Sequence, residues 1–122
     1  MALLYEELTK QILQVCFEVS NELGAGFLES VYQNALQIAL RQKGLKVETQ
    51  KPIAVMFRGE NVGQFFADLL VHDKVIVELK AVRSILPEHQ AQVINYLKAT
   101  GIEVGLLVNF GVPKLEYRRL HR

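Results

Sequence analysis

The stretch from Gln64 to Lys80, QFFADLLVHDKVIVELK, constrains this chain more than any other. Phe, Val, Leu and Ile dominate Phe65–Val71 and Val75–Leu79, and His72-Asp73-Lys74 breaks them with polar residues. Runs of this composition on either side of a short polar break read as two strands and a tight turn. Both runs are apolar on both faces, which predicts central, buried strands. Asp68, Glu78 and Lys80 stand inside that apolar text. A buried carboxylate without a partner is costly or takes up a proton, so the three charges require a common explanation.

Strand spacing supplies one. Glu78 and Lys80 are two residues apart and share a face, roughly 6–7 Å from each other along the strand. If the turn holds three residues, Asp68 lies opposite Glu78. A two-residue turn puts them on opposite faces, because a one-residue slip inverts every side chain. Facing carboxylates about 5 Å apart at Cβ repel each other unless a cation lies between them. A hard divalent ion such as Mg²⁺ suits oxygen ligands of this kind, with Lys80 beside its water or a scissile phosphate. The same spacing also accommodates an Asp68–Lys80 salt bridge with Glu78 at a solvated edge, and spacing alone does not choose between the two.

Four segments, in order, carry a family resemblance. Asp68 followed by Glu78-Leu79-Lys80 resembles the D…(D/E)xK signature of the PD-(D/E)XK nuclease superfamily. Gly26-Phe27-Leu28-Glu29-Ser30-Val31-Tyr32 resembles the motif that names the GxxExxY family within it. Gln92-Val93-Ile94-Asn95-Tyr96 resembles the QxxxY motif of its recombination-repair branch. Gly105-Leu106-Leu107-Val108-Asn109-Phe110-Gly111 is similar to that family's last core strand. The four together are specific and run over nearly the whole chain.

The resemblance implies an α/β fold with a PD-(D/E)XK nuclease-like core: N-terminal helices, an antiparallel meander, a crossover helix and a further parallel strand. It implies hydrolysis of phosphodiester bonds in nucleic acid, DNA ahead of RNA, with Mg²⁺ or Mn²⁺ as cofactor. Glu29, Asp68 and Glu78 would set the metal, which would lower the pKa of a water and polarise the phosphate. Lys80 would orient that water or offset charge in the transition state, and Gln92 and Tyr96 would position substrate or water.

Composition bounds these expectations. A chain of 122 residues is expected to form one domain over residues 1–122. Half its residues are hydrophobic and its mean hydropathy is positive, which argues against disorder. The net charge is +1, so bulk charge gives no support to tight non-specific nucleic-acid binding. The charge is uneven, however. Lys114, Arg118, Arg119 and Arg122 face only Glu116 in the tail, a local basic patch. Cys16 is the only cysteine and reads as a buried thiol. No signal peptide or span of about 20 apolar residues is visible, so the expectation is a cytoplasmic, soluble protein without a membrane partner. So small and hydrophobic a chain can bury an apolar patch against copies of itself, which makes a homo-oligomer, most simply a symmetric dimer, a further expectation.

Apolar periodicity places the rest. Leu4, Leu8, Ile12, Val15, Val19 and Leu23 form one stripe, predicting a first helix over Leu3–Leu23. Gly24-Ala25-Gly26 ends it; a glycine-rich turn before a helix can cradle phosphate, but no P-loop lysine or dinucleotide fingerprint follows. A second helix is predicted over Leu28–Lys43, with Leu28, Val31, Ala35, Ile38 and Ala39 inward and Gly44 as its stop. Glu29 alone reads as a favourable first-turn acid; beside Asp68 and Glu78 it is a candidate third carboxylate. Tyr32, three residues on, either orients Glu29, contacts substrate or fills the core.

Strands are predicted over Val47–Phe57 and Val62–Val71, joined by a turn over Arg58–Asn61. Pro52 marks the first of them as an edge or bulged strand. After Lys80, Arg83 stands where a phosphate contact or plain solvation both fit. A third helix over Glu88–Thr100 puts Val93, Ile94 and Leu97 on its apolar side and aligns His89, Gln92 and Tyr96 as a polar stripe suited to substrate or water. One histidine without a cysteine pair argues against zinc. Glu103–Phe110 reads as a buried strand parallel to Val75–Lys80 across a right-handed crossover, and Leu115–Leu120 as an edge strand. A rival from another class is a catalytically silent nuclease-fold module that binds a protein or nucleic-acid partner: the charge of +1 favours it, and the intact D…ExK disfavours it.

Overall fold

A computed structural model describes residues 4–122 and opens with α1, Glu6–Leu23. Leu3, the expected helix start, lies outside the described residues. Ile12, Val15 and Val19 are buried as their spacing predicts, joined by Thr9, Cys16 and Ser20, while Leu4 is exposed. Burial pushes the Cys16 thiol far above its ordinary range. The chain leaves α1 at Gly24, whose φ of 71° is open to a residue without Cβ.

The inward face of α2, Glu29–Gln42, corrects the expectation. Tyr32, Leu36 and Leu40 are its buried side chains, whereas Leu28 is 78% exposed and Val31 and Ile38 are also exposed. Ala35 and Ala39 are only partly buried against the core. The true stripe repeats every four residues and counts a tyrosine as a core residue, which its ring allows.

Five strands follow: β1 (Val47–Phe57), β2 (Glu60–Val71), β3 (Val75–Lys80), β4 (Val104–Asn109) and β5 (Glu116–His121). They lie in that order in one sheet. β3 and β4 are parallel, joined through α3 (Pro87–Thr100), and the remaining neighbours are antiparallel. Pro52 sits opposite Phe66 on the edge strand β1, the kind of strand in which proline is tolerated. Arg58 and Gly59, both at positive φ, turn β1 into β2. His72 and Asp73 do so between β2 and β3; both are among the non-glycine types that accept this region.

Residues alternate between two cores. Val75, Val77 and Leu79 pack under α1 and α2, and Ile76 packs under α3. β3 and β4 are buried throughout apart from half-buried Lys80. β2 is not: its outer half is exposed, and Phe66 keeps 52% of its surface. The expectation of two fully buried strands fails there because β2 is twice the length of β3 and pairs with it only from Leu69 to Val71. The outer β1–β2 arm has strand neighbours on one side only.

Candidate active site

The turn after β2 holds three residues, since Val71 pairs with Val75. The same register carries Asp68 opposite Glu78. The regular ladder ends at Leu69–Val77, and the two carboxylates take over its hydrogen bonds. The Asp68 N–H donates to Glu78 Oε1 at 2.9 Å, and the Leu79 N–H donates to Asp68 Oδ2 at 2.9 Å. Each side chain thus satisfies the backbone of the opposite strand where the strands part.

Glu78 is 4% exposed. Burial, then the adjacent Asp68 carboxylate, pushes its carboxyl up to about 8, while the Asp68 N–H and Lys80 pull the other way. Lys80 shares its strand face and donates to Gln92 Oε1 at 3.4 Å, tying β3 to α3. Tyr96, one helical turn beyond Gln92, stacks on Phe65 of β2 with centroids 3.7 Å apart. Burial and the charges of Glu78 and Asp68 raise its phenol above the ordinary range. The Asp68–Lys80 salt bridge that the spacing also allowed is not among the ion pairs of the described residues.

Glu29 reaches the same neighbourhood from α2. Its carboxyl is raised by burial first and by Asp68 second, and Lys80 opposes both. Among the described residues, no group of three or more His, Cys, Asp and Glu side chains is arranged to hold a metal ion. The donor set that does meet is the Asp68–Glu78 pair. Two opposed carboxylates fit Mg²⁺ or Mn²⁺, because such ions take one or two protein carboxylates and fill the remaining positions with water and phosphate oxygens.

Three further features have partners within the fold. Tyr32 is fully buried; its hydroxyl donates to Gly24 O at 2.6 Å and accepts from the Phe27 N–H at 3.2 Å, and its ring stacks on Phe110. It fastens the Gly24–Phe27 turn to the core and presents nothing to a substrate. His89 Nδ1 accepts from the Leu86 N–H at 3.0 Å, closing the start of α3. The basic tail is partly spent: Arg122 pairs with Glu103 at 2.6 Å, and Arg119 donates to Leu4 O. Arg83 stays exposed on the segment after β3.

Gln50 escaped sequence reasoning. It sits mid-strand at φ 49°, between the pairs Thr49–Leu69 and Lys51–Ala67. Its amide donates to Gln33 Oε1 at 3.2 Å and to Asp68 Oδ1 at 3.5 Å. A glutamine at positive φ is a costly conformation that the surroundings must hold. Gln33 was discoverable, lying four residues after Glu29 on the same side of α2. The backbone of Gln50 leaves no such trace.

A mixed five-stranded sheet between helices, with opposed acids where two strands part and a lysine beside them, defines a PD-(D/E)XK nuclease-like fold. The family model described as the PD-(D/E)XK nuclease superfamily matches residues 6–120. This chain belongs to the PD-(D/E)XK nuclease superfamily. A solved structure titled "Crystal structure of SSO0001" superposes with a TM-score of 0.63 at 19% identity, over 97% of this chain and 60% of that one. At that identity the likeness is one of fold, and the chain spans well under two thirds of that structure's length. No curated protein matches the chain. Among the described residues, no helix is long and apolar enough to cross a membrane.

Proposed function

We propose that this protein is a divalent-metal-dependent nuclease of the GxxExxY family that hydrolyses phosphodiester bonds, with DNA as the favoured substrate. The observation that carries the reading is half-buried Asp68 opposed to buried Glu78 where two strands part, with Lys80 on the same strand face as Glu78. Asp68 and Glu78 would hold Mg²⁺ or Mn²⁺, and Glu29 would add negative charge from α2. When bound, such a cation would supply Lewis acidity and lower the pKa of a water. Lys80 holds an ammonium beside the reacting phosphate, where charge builds in the transition state. Gln92 steadies Lys80 and Tyr96 closes the α3 side; Arg83 and the open face of His89 offer substrate contacts.

Thermal melting with and without Mg²⁺ or Mn²⁺, paired with cleavage of a DNA and RNA oligonucleotide panel, tests this. The wild type gains melting temperature with metal and cleaves. Glu78→Gln loses both, because a neutral amide is a poorer ligand for a hard cation. Lys80→Met keeps the metal-induced gain while cleavage falls by about two orders of magnitude or more. A wild type that gains nothing from metal and cleaves nothing leaves the second reading, a silent nuclease-fold module, which the net charge of +1 favours.

A cytoplasmic site of action and self-association complete the proposal. The exposed apolar residues of the β1–β2 arm, Met56, Phe57, Val62 and Phe66, support an interface between two copies.

A further inference from the structure

The end of the sheet at which Lys80 stands carries a second feature. Arg83, Lys114 and Arg118 line one open groove there, together with Tyr117. Lys80 pairs with Asn109 at the ends of β3 and β4, and Asn109 pairs with Glu116 at the start of β5. The groove therefore lies at the same end of the sheet as Lys80, two strands across from it.

Its floor is built. Asn109 is fully buried: its Oδ1 accepts from the Val82 and Gly111 N–H groups, and its Nδ2 donates to Val82 O and Glu116 Oε1, all at 3.0 Å. Glu116 Oε1 also accepts from the Ile85 N–H. The backbone on both sides of Arg83 is thus pinned, Val82 to Asn109 of β4 and Ile85 to Glu116 of β5, the strand that carries Arg118. Glu116 is the acid of the groove, and one of its oxygens is spent on this clasp. Among the described residues neither Arg83 nor Lys114 has an ion-pair partner, and Arg118 donates to Tyr117 O at 2.8 Å and makes a 3.9 Å contact to Glu116. Tyr117 meets Phe17 of α1 edge-on and leaves 41% of its surface open.

Resting on the nuclease reading, we infer that a single-stranded nucleic acid leaves the site along this groove, its phosphates on Arg83, Lys114 and Arg118 and a base on Tyr117. Cations spaced along an open channel beside an exposed aromatic ring are the means by which single strands are held, since every base has a face to stack. The groove also supplies locally the positive charge that the whole chain lacks.

Binding is measured by fluorescence anisotropy in chelator, where no cleavage occurs, with a labelled single-stranded oligonucleotide and its duplex across a salt series. The single strand binds more tightly than the duplex. The combined Arg83→Ala, Lys114→Ala and Arg118→Ala variant weakens binding about tenfold or more and lowers the salt slope by about 2, at roughly 0.7 per phosphate contact. Tyr117→Ala weakens binding about tenfold; Tyr117→Phe, which keeps the ring, binds like wild type. Melting curves check that each variant is folded. Equal affinity and slope in the combined variant, tighter binding of the duplex, or no wild-type binding at low salt would each overturn the inference. Cleavage with Mg²⁺ or Mn²⁺ is scored separately. Groove-dependent binding without cleavage removes the nuclease reading alone, and cleavage with groove-independent binding removes the groove alone.

Discussion

Glu78 concentrates the physics of the site in one side chain. Its folded carboxyl keeps a proton up to about 8, against an ordinary 4.5. Between those values the folded chain binds more protons than the unfolded one, so stability falls as pH rises through that window. Below it both states are protonated, and above it both are ionised. Metal-free protein should therefore lose about 2–4 kcal/mol between pH 4.5 and 8, with Glu29 adding in the same direction. Urea denaturation in chelator at stepped pH measures this, and Glu78→Gln should flatten most of the slope. Equal slopes in both proteins would mean that Glu78 ionises without cost. The opposition of Asp68 and Glu78 was legible as one of two registers, because period-two alternation leaves only the length of the turn to decide it, and the Val71–Val75 pair decides it. Gln50 was not, because the sign of a backbone angle at a glutamine has no marker in composition.

At the scale of elements, strands and helices were legible to within a few residues, while the inward face of α2 was not. Tyr32, Leu36 and Leu40 compete with an equally apolar stripe through Leu28, Val31 and Ile38. Choosing between stripes requires knowing which side the sheet lies on. The parallel pairing of β3 and β4 was legible, but the join between the loops that follow them was hidden: Asn109 reads as the polar end of an apolar strand, yet it pins the loop after Lys80. Gly111 permits that join. A Cβ there would stand 2.4 Å from the Val82 backbone N and O, and backbone cannot swing aside as a side chain can. Gly111→Ala should destabilise the fold by about 2 kcal/mol or more, read as a lower denaturation midpoint at unchanged slope. A neutral outcome would mean that the loops part freely.

For the molecule as a whole, the fold class was legible and the uneven depth of burial was not. Apolar content is shared between a packed centre and the β1–β2 arm, where Phe66, which sequence alone assigned to the interior, is exposed beside Met56, Phe57 and Val62. If the arm is the interface between copies, light scattering should give a mass near twice 13.8 kDa at micromolar concentration. Phe57→Ser with Met56→Ser should return it to the monomer, with no loss of melting temperature beyond that due to dissociation. A wild-type monomer at all concentrations would remove self-association from the proposal.

The hydrogen bonds by which Asp68 and Glu78 hold the Asp68 and Leu79 amides also give the site an internal clock. These two protons are guarded by carboxylates rather than by carbonyls of a ladder, so their exchange with solvent is set by what happens to the carboxylates. A cation that draws those oxygens away should release both amides together, and the amide of Val77, inside the regular pairing, should keep its protection. Deuterium uptake at two neighbouring strand positions would then register occupancy of the site without any substrate being turned over.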